Sequence, residues 1–146
     1  VKKFIDFLVT LPRGLQRPPR DLGGKELDAF VKENHPLLAE LKAAGLLGMG
    51  GAGAPAYQKW LDVWREPPGE KYVVSNGDES EPGTFKDREI MLRMPHLLVE
   101  GVILAGLMTG ATAGYIYVRH EYLEQIHELR EEIARAEQIG ACGANV

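Results

Sequence analysis

Three observations predict an α/β fold built on a parallel sheet with flanking helices. Two short runs rich in β-branched and aromatic residues lie beyond position 70, a helical pattern follows each, and a turn or proline signal marks each boundary. The runs are KYVVSN at 71–76, stopped by Asn76-Gly77, and GYIYVR at 114–119. Strand, helix, strand, helix in that order calls for a crossover between parallel strands.

The elements follow from local chemistry. The opening 24 residues mix a short apolar run with Pro12, Pro18, Pro19 and paired glycines, which cannot sustain a helix, so 1–24 is expected to be an extended leader and 25–146 the folded part. A helical pattern runs from Lys25 to about Glu33. Pro36 opens another, with Leu37, Leu38 and Leu41 on one side and Gly45 as its stop. After Pro55, the residues Tyr57, Trp60, Leu61 and Trp64 recur at helical spacing until Pro67-Pro68-Gly69. Helices are also expected over 86–94, from Pro95 onward, and over the charged stretch 121–139. Positions 143–146 resemble the start of a third strand. The sheet is thus expected to be incomplete at the C-terminal end and the chain to be a piece of a larger protein.

Composition narrows the function classes. A chain of 146 residues, 45% apolar and 26% charged, can bury a real core. A formal charge of −4 with no basic stripe speaks against nucleic acid as a partner. The longest apolar run, Leu97 to Met108, is shorter than the roughly 20 residues of a membrane span and contains Glu100; it reads as a buried helix rather than a membrane insertion. The single cysteine, Cys142, allows neither an internal disulfide nor a cysteine-ligated metal set and suits a reducing, cytoplasmic setting. His35, His96, His120 and His127 have no metal-ligand spacing, and no metal is assigned.

Two segments carry chemistry. In GMGGAGAPAYQKW, Gly48, Gly50 and Gly53 fit G-x-G-x-x-G, but a helix pattern precedes them where a dinucleotide fingerprint needs a strand, and no Gly-Lys-Ser/Thr follows. What remains is a glycine backbone that lets a ligand approach closely, followed by a helix N-terminus with partial positive charge. Ala54 is expected at the N-cap, where it offers no side-chain acceptor, and Lys59 lies one turn into the helix. An anion would fit; so would a plain interhelical turn with a solvent-facing lysine. The second segment, NGDESEPGTFKDR at 76–88, follows the carboxyl end of a strand, where ligands bind in open α/β sheets. Asn76, Asp78, Glu79, Ser80 and Glu81 suit hydroxyls or ring N–H donors rather than phosphate. The spacing is not that of an EF-hand, and a solvated acidic turn is the plainer alternative.

Together, GMGGAGAPAYQKW and KYVVSNGDESEPGTFKDREIMLRMPHLLVEG, with GYIYVR after them, resemble the flavin-bearing, NADH-binding subunit of respiratory complex I and its relatives in NAD-linked hydrogenases and formate dehydrogenases. The likeness covers about 45–119. It implies a Rossmann-like domain, of which this chain is the N-terminal part, holding FMN and facing NADH. Carried over by position, Gly48, Gly50, Gly51 and Lys59 would contact FMN, Asn76, Asp78 and Glu79 would hold its polar ring edge or ribityl hydroxyls, and Glu81 would face NADH. No residue is assigned acid–base catalysis, since the flavin carries the electrons.

The resemblance also implies partner subunits of an electron-transfer complex, iron–sulfur proteins among them, and a 4Fe-4S cluster only in a region beyond Val146. It implies a cytoplasmic place, peripheral to the membrane through such a complex. The sequence departs from the family pattern at Met49, where an arginine is usual, at Ala54, where a phenylalanine stacks on the NADH adenine, and near Asp62, where another aromatic is expected. Ala56-Tyr57 replaces Thr-Gly and is expected to crowd the loop. A structural or assembly subunit of the same ancestry, with cofactor binding lost, is the alternative those departures suggest.

Overall fold

The computed structural model describes residues 21–49, 51–67 and 69–143. The leader expected over 1–24 lies outside the described residues up to position 20, as do positions 144–146 of the expected third strand. The described residues form six helices and two strands: α1 (Gly24–Asn34), α2 (Pro36–Ala44), α3 (Ala56–Arg65), β1 (Tyr72–Gly77), α4 (Lys86–Arg93), α5 (Pro95–Thr109), β2 (Ala113–Val118) and α6 (Leu123–Gln138). The order and types match the expectation, and the architecture is α/β with a parallel sheet.

Two compact units divide the chain. Among the described residues, one holds 21–70 together with Met108–Gly110; the other holds Lys71–Leu107 and 111–143.

In the helical unit, α1 packs on α2 and α2 on α3. Each helix turns one apolar stripe inward: Leu27 and Val31 from α1, Leu38 from α2, and Tyr57, Leu61 and Trp64 from α3, with Met108 completing the core. Burying a side chain such as Leu38 or Leu61 stabilises the fold by roughly 1.5–3 kcal/mol. The α1–α2 corner is made by His35, which ends α1 through its N–H to the Val31 carbonyl at 2.7 Å and leaves Pro36 to begin α2. Its ring is buried, meets Trp64 edge-on at 4.7 Å, and bonds the Met108 carbonyl through Nε2 at 3.2 Å. Burial is the largest influence on the imidazole and holds its pKa below the ordinary 6.5. Gly45 closes α2 in the left-handed conformation expected of a C-terminal stop.

In the sheet unit, β1 and β2 run parallel from Tyr72↔Ala113 to Gly77↔Val118. Between them, α4 and α5 meet at a bend of 96°. Met94 sits at that bend because the residue before a proline is driven out of helical geometry. Met91, Val99, Leu129, Ala136 and Ala141 form the core, with Ile116 and Val118 packed against it. The other face of the sheet carries Tyr72, Val74, Tyr115 and Tyr117, all exposed. The run from Leu97 to Met108 is helical as expected but only partly buried: Val99, Ala105 and Met108 are inside, whereas Leu97 and Leu107 face solvent. Among the described residues, no single helix is long and apolar enough to cross a membrane.

Candidate functional site

The glycine loop lies in the helical unit, between α2 and α3. Its neck is a short antiparallel bridge, Leu47↔Pro55, reinforced by Gly48 N–H donating to the Ala54 carbonyl at 2.8 Å and Ala56 N–H to the Leu46 carbonyl at 2.9 Å. Two glycines at the tip have positive φ, +92° at Gly51 and +60° at Gly53, a conformation side-chain-bearing residues rarely adopt. Among the described residues, apart from each glycine's own chain neighbours, no atom lies within 4 Å of where a Cβ would stand on either. There is open space around the backbone at both glycines.

The N-cap of α3 is Pro55, not Ala54 as the sequence suggested, because the Leu47 bridge holds Pro55 extended at ψ 121° and the helix begins one residue later. As expected for Ala54, Pro55 offers no side-chain cap to the helix, but the first amide of α3, that of Ala56, is already spent on the Leu46 carbonyl. Lys59 is exposed one turn further on. Met49 is 81% exposed on the same loop.

Tyr57 does not crowd the loop. It shares the inward stripe of α3 with Leu61 and Trp64, so the ring turns into the helical core, where the Lys42 ammonium stands 5.1 Å from its centroid. Asp28 pairs with that same Lys42.

The acidic segment belongs to the sheet unit and leaves the carboxyl end of β1. Asn76 Oδ1 accepts the Asp78 N–H at 3.0 Å, an Asx turn that folds the chain back at the strand end. Gly77 is buried there because a Cβ would stand 3.2 Å from both Met91 Sδ and the Tyr117 carbonyl oxygen. Glu79 is the only residue other than glycine with positive φ, +47°, among the described residues. Its carboxylate accepts the N–H groups of Asp87 at 2.5 Å and Arg88 at 3.2 Å, in the first turn of α4, and the Tyr122 hydroxyl at 3.4 Å. Burial opposes the charge of Glu79, but the two backbone N–H groups and the hydroxyl outweigh it and hold the pKa below the usual carboxylate range. Glu81 is exposed in the following turn, where its carbonyl accepts the Thr84 N–H at 3.2 Å.

Of the residues singled out by sequence, Asn76, Asp78 and Glu79 thus form one bonded turn. Gly48, Gly51 and Lys59 lie on or just after one glycine loop, with the Gly48 N–H spent at its neck; Gly50 lies outside the described residues. Sequence reasoning missed Arg119 and Tyr122, which reach Glu79 from beyond β2: Arg119 Nη1 lies 3.5 Å from the Glu79 carbonyl oxygen. The parallel register held the signal, since pairing Gly77 with Val118 sets the residues after both strands side by side. Among the described residues, no group of three or more His, Cys, Asp or Glu side chains could hold a metal ion.

Each of the two loops has its own ligand chemistry. In the helical unit, the glycine loop, a helix start without a side-chain cap and the exposed Lys59 ammonium suit an anion; in the sheet unit, the strand-end acceptors suit hydroxyl or N–H donors. Helices flanking a parallel pair of strands place the fold in the α/β class. Within that class the chain belongs to the Nuo51 FMN-binding domain family, which it matches over residues 41–144.

Over 125 residues it is 42% identical to the mitochondrial NADH-ubiquinone oxidoreductase 51 kDa subunit of Neurospora crassa, covering 83% of this chain and 25% of that protein. Over 101 residues it is 48% identical to an NADH-quinone oxidoreductase subunit of Aquifex aeolicus, covering 69% and 24%. The structure resembles an NAD+-reducing NiFe-hydrogenase in the H2-reduced state, with a TM-score of 0.69 at 31% identity, covering 97% of this chain and 23% of that one. The chain spans about a quarter of the length of the relatives it matches.

Proposed function

We propose that this chain is the flavin-holding portion of an NADH-oxidising electron-transfer complex. The observation that carries the reading is the match over 41–144 to the Nuo51 FMN-binding domain family, a span that holds both a glycine loop before a helix with no side-chain cap and a bonded acceptor turn at a strand end.

Gly48, Gly50, Gly51 and Lys59 would hold the phosphate end of FMN. Gly48 would act by pinning the neck of the loop, and Lys59 by adding positive charge beside the first-turn amides of α3. Asn76, whose carbonyl oxygen is engaged in the Asx turn, keeps its side-chain NH2 as a donor, while Asp78 supplies acceptors for ribityl hydroxyls or a ring N–H. Glu81, exposed beyond them, would face the nicotinamide nucleotide. Bound FMN would supply two-electron acceptance and one-electron release, and the chain would contribute placement and electrostatics.

Names of relatives support NADH as the reductant and other subunits as partners. An iron–sulfur acceptor, a 4Fe-4S cluster in a region outside this sequence and a cytoplasmic, membrane-peripheral place belong to the same proposal. So does the assignment of 25–146 to the N-terminal part of the flavin domain.

The test is FMN uptake by the full chain, read as quenching of free FMN fluorescence and as flavin released on denaturation. Stoichiometric uptake, weakened in Lys59→Met and Asp78→Asn, is expected. A folded chain that takes up no FMN would overturn the reading.

A further inference from the structure

Glu79 departs from a simple ligand-contacting role. Both of its carboxylate oxygens accept hydrogen bonds from within the chain: Oε1 from the Asp87 N–H, and Oε2 from the Arg88 N–H and the Tyr122 hydroxyl. Its backbone is held in the left-handed region, which a residue with a long side chain adopts only when its surroundings fix it. Its carbonyl oxygen in turn faces Arg119 Nη1 at 3.5 Å, and the Arg119 guanidinium stands 5.9 Å from the centre of the Tyr122 ring. One residue therefore ties the exit of β1, the start of α4, the exit of β2 and the entry to α6.

The N-cap position of α4 is Phe85, which offers no acceptor to the amides that follow. Glu79 supplies that acceptor from outside the helix. The charge-assisted bonds it makes also fix the path of the chain just after the Asn76–Asp78 turn.

We propose that Glu79 is a positioning residue: by bonding the first-turn amides of α4 and the Tyr122 hydroxyl, it sets the conformation in which Asn76 and Asp78 present their polar groups to the flavin. The proposal rests on the flavin reading for its functional half, whereas its structural half concerns this chain alone. A carboxylate that contacted flavin directly would be insensitive to loss of the Tyr122 hydroxyl; a clamp is not.

The experiment uses the full chain as wild type, Glu79→Gln, Tyr122→Phe and the double variant, with two readouts: amide hydrogen exchange at Asp87 and Arg88, and FMN affinity by fluorescence quenching. Glu79→Gln is expected to speed exchange at those two amides about tenfold and to weaken FMN about fivefold or more. Tyr122→Phe is expected to do part of both and to add nothing once Glu79 is already Gln. Unchanged exchange at Asp87 and Arg88 in Glu79→Gln overturns the clamp. Faster exchange with unaltered FMN affinity overturns its positioning role, and so does an FMN loss in Glu79→Gln that Tyr122→Phe does not share. If wild type takes up no FMN, the flavin reading falls and exchange alone decides: acceleration upholds the clamp and its absence overturns it.

Discussion

Gly114 in β2 lies so close to Val102 in α5 that a Cβ built on the glycine would stand 2.6 Å from Val102 Cγ1. The strand thus approaches the helix that leads into it at a distance only a missing side chain allows. Val102 has little freedom to retreat, since a β-branched side chain on a helix is largely confined to one χ1 rotamer. Gly114→Ala is therefore expected to destabilise the chain by about 1–3 kcal/mol, as overpacking does. Val102→Ala should recover part of that loss, so that the double variant is more stable than the sum of the single changes implies. Urea denaturation of the four proteins measures the coupling.

The buried His35 predicts a pH dependence. Its pKa in the fold lies below the ordinary 6.5, so the native state holds the neutral ring while the unfolded chain takes up a proton more readily. Stability from this site is complete above pH 6.5 and is lost as pH falls from there toward the folded value. His35→Gln should be less stable than wild type at neutral pH, having lost the Trp64 contact, and should show a shallower decline in acid. Denaturation midpoints measured from neutral to mildly acidic pH check both halves.

Gly51 tests the glycine tip. Its φ of +92° lies outside the range in which an alanine is comfortable, while the space around it is open. Gly51→Ala should therefore act through backbone strain rather than through a clash, costing roughly 1–2 kcal/mol where the loop keeps its shape. Expressed in ligand affinity, that is about five- to thirtyfold weaker FMN binding, with the thermal midpoint of the core little changed. A titration with FMN and a melting curve, run on the same sample, separate the two effects.

Ala54→Phe addresses the nucleotide. A stacked aromatic contact contributes about 0.5–1.5 kcal/mol beyond its buried area, so restoring the ring that the family resemblance places here should tighten NADH binding roughly two- to tenfold in the FMN-loaded chain. Unchanged NADH affinity would show that position 54 lies away from the adenine.

Much of the fold was legible because its signals are local. Proline at 36 and 95, glycine at 45 and the Asn76-Gly77 pair punctuate the chain where helices and strands begin and end. The stripe of Tyr57, Leu61 and Trp64 marks the face of α3 that became core. What escaped depends on partners distant in sequence. The Leu47↔Pro55 bridge moved the N-cap from Ala54 to Pro55, and such main-chain pairing leaves no trace in side-chain pattern. Tyr57 looked like an obstruction to the loop because it occupies a motif position, yet its place on the apolar stripe decides its direction. His35 showed no metal-ligand spacing, and its part at the α1–α2 corner became visible only once Met108 and Trp64 were found against it. In the acidic segment the acceptor types were evident, but Glu79 turned inward because of residues that follow a strand paired to its own.

The pairing of β1 with β2 also bears on how the chain reaches this structure. Thr112 bonds the Lys71 carbonyl across a separation of 41 residues, whereas the helix contacts of α1, α2 and α3 join near neighbours in the chain. Closing so long a span forfeits chain entropy before the ladder can form, and parallel pairing of this kind is intrinsically slow. Refolding should accordingly show helical signal gained ahead of the slower step that brings Tyr72 beside Ala113, and a chain held up at that stage would expose two unpaired strands to its neighbours.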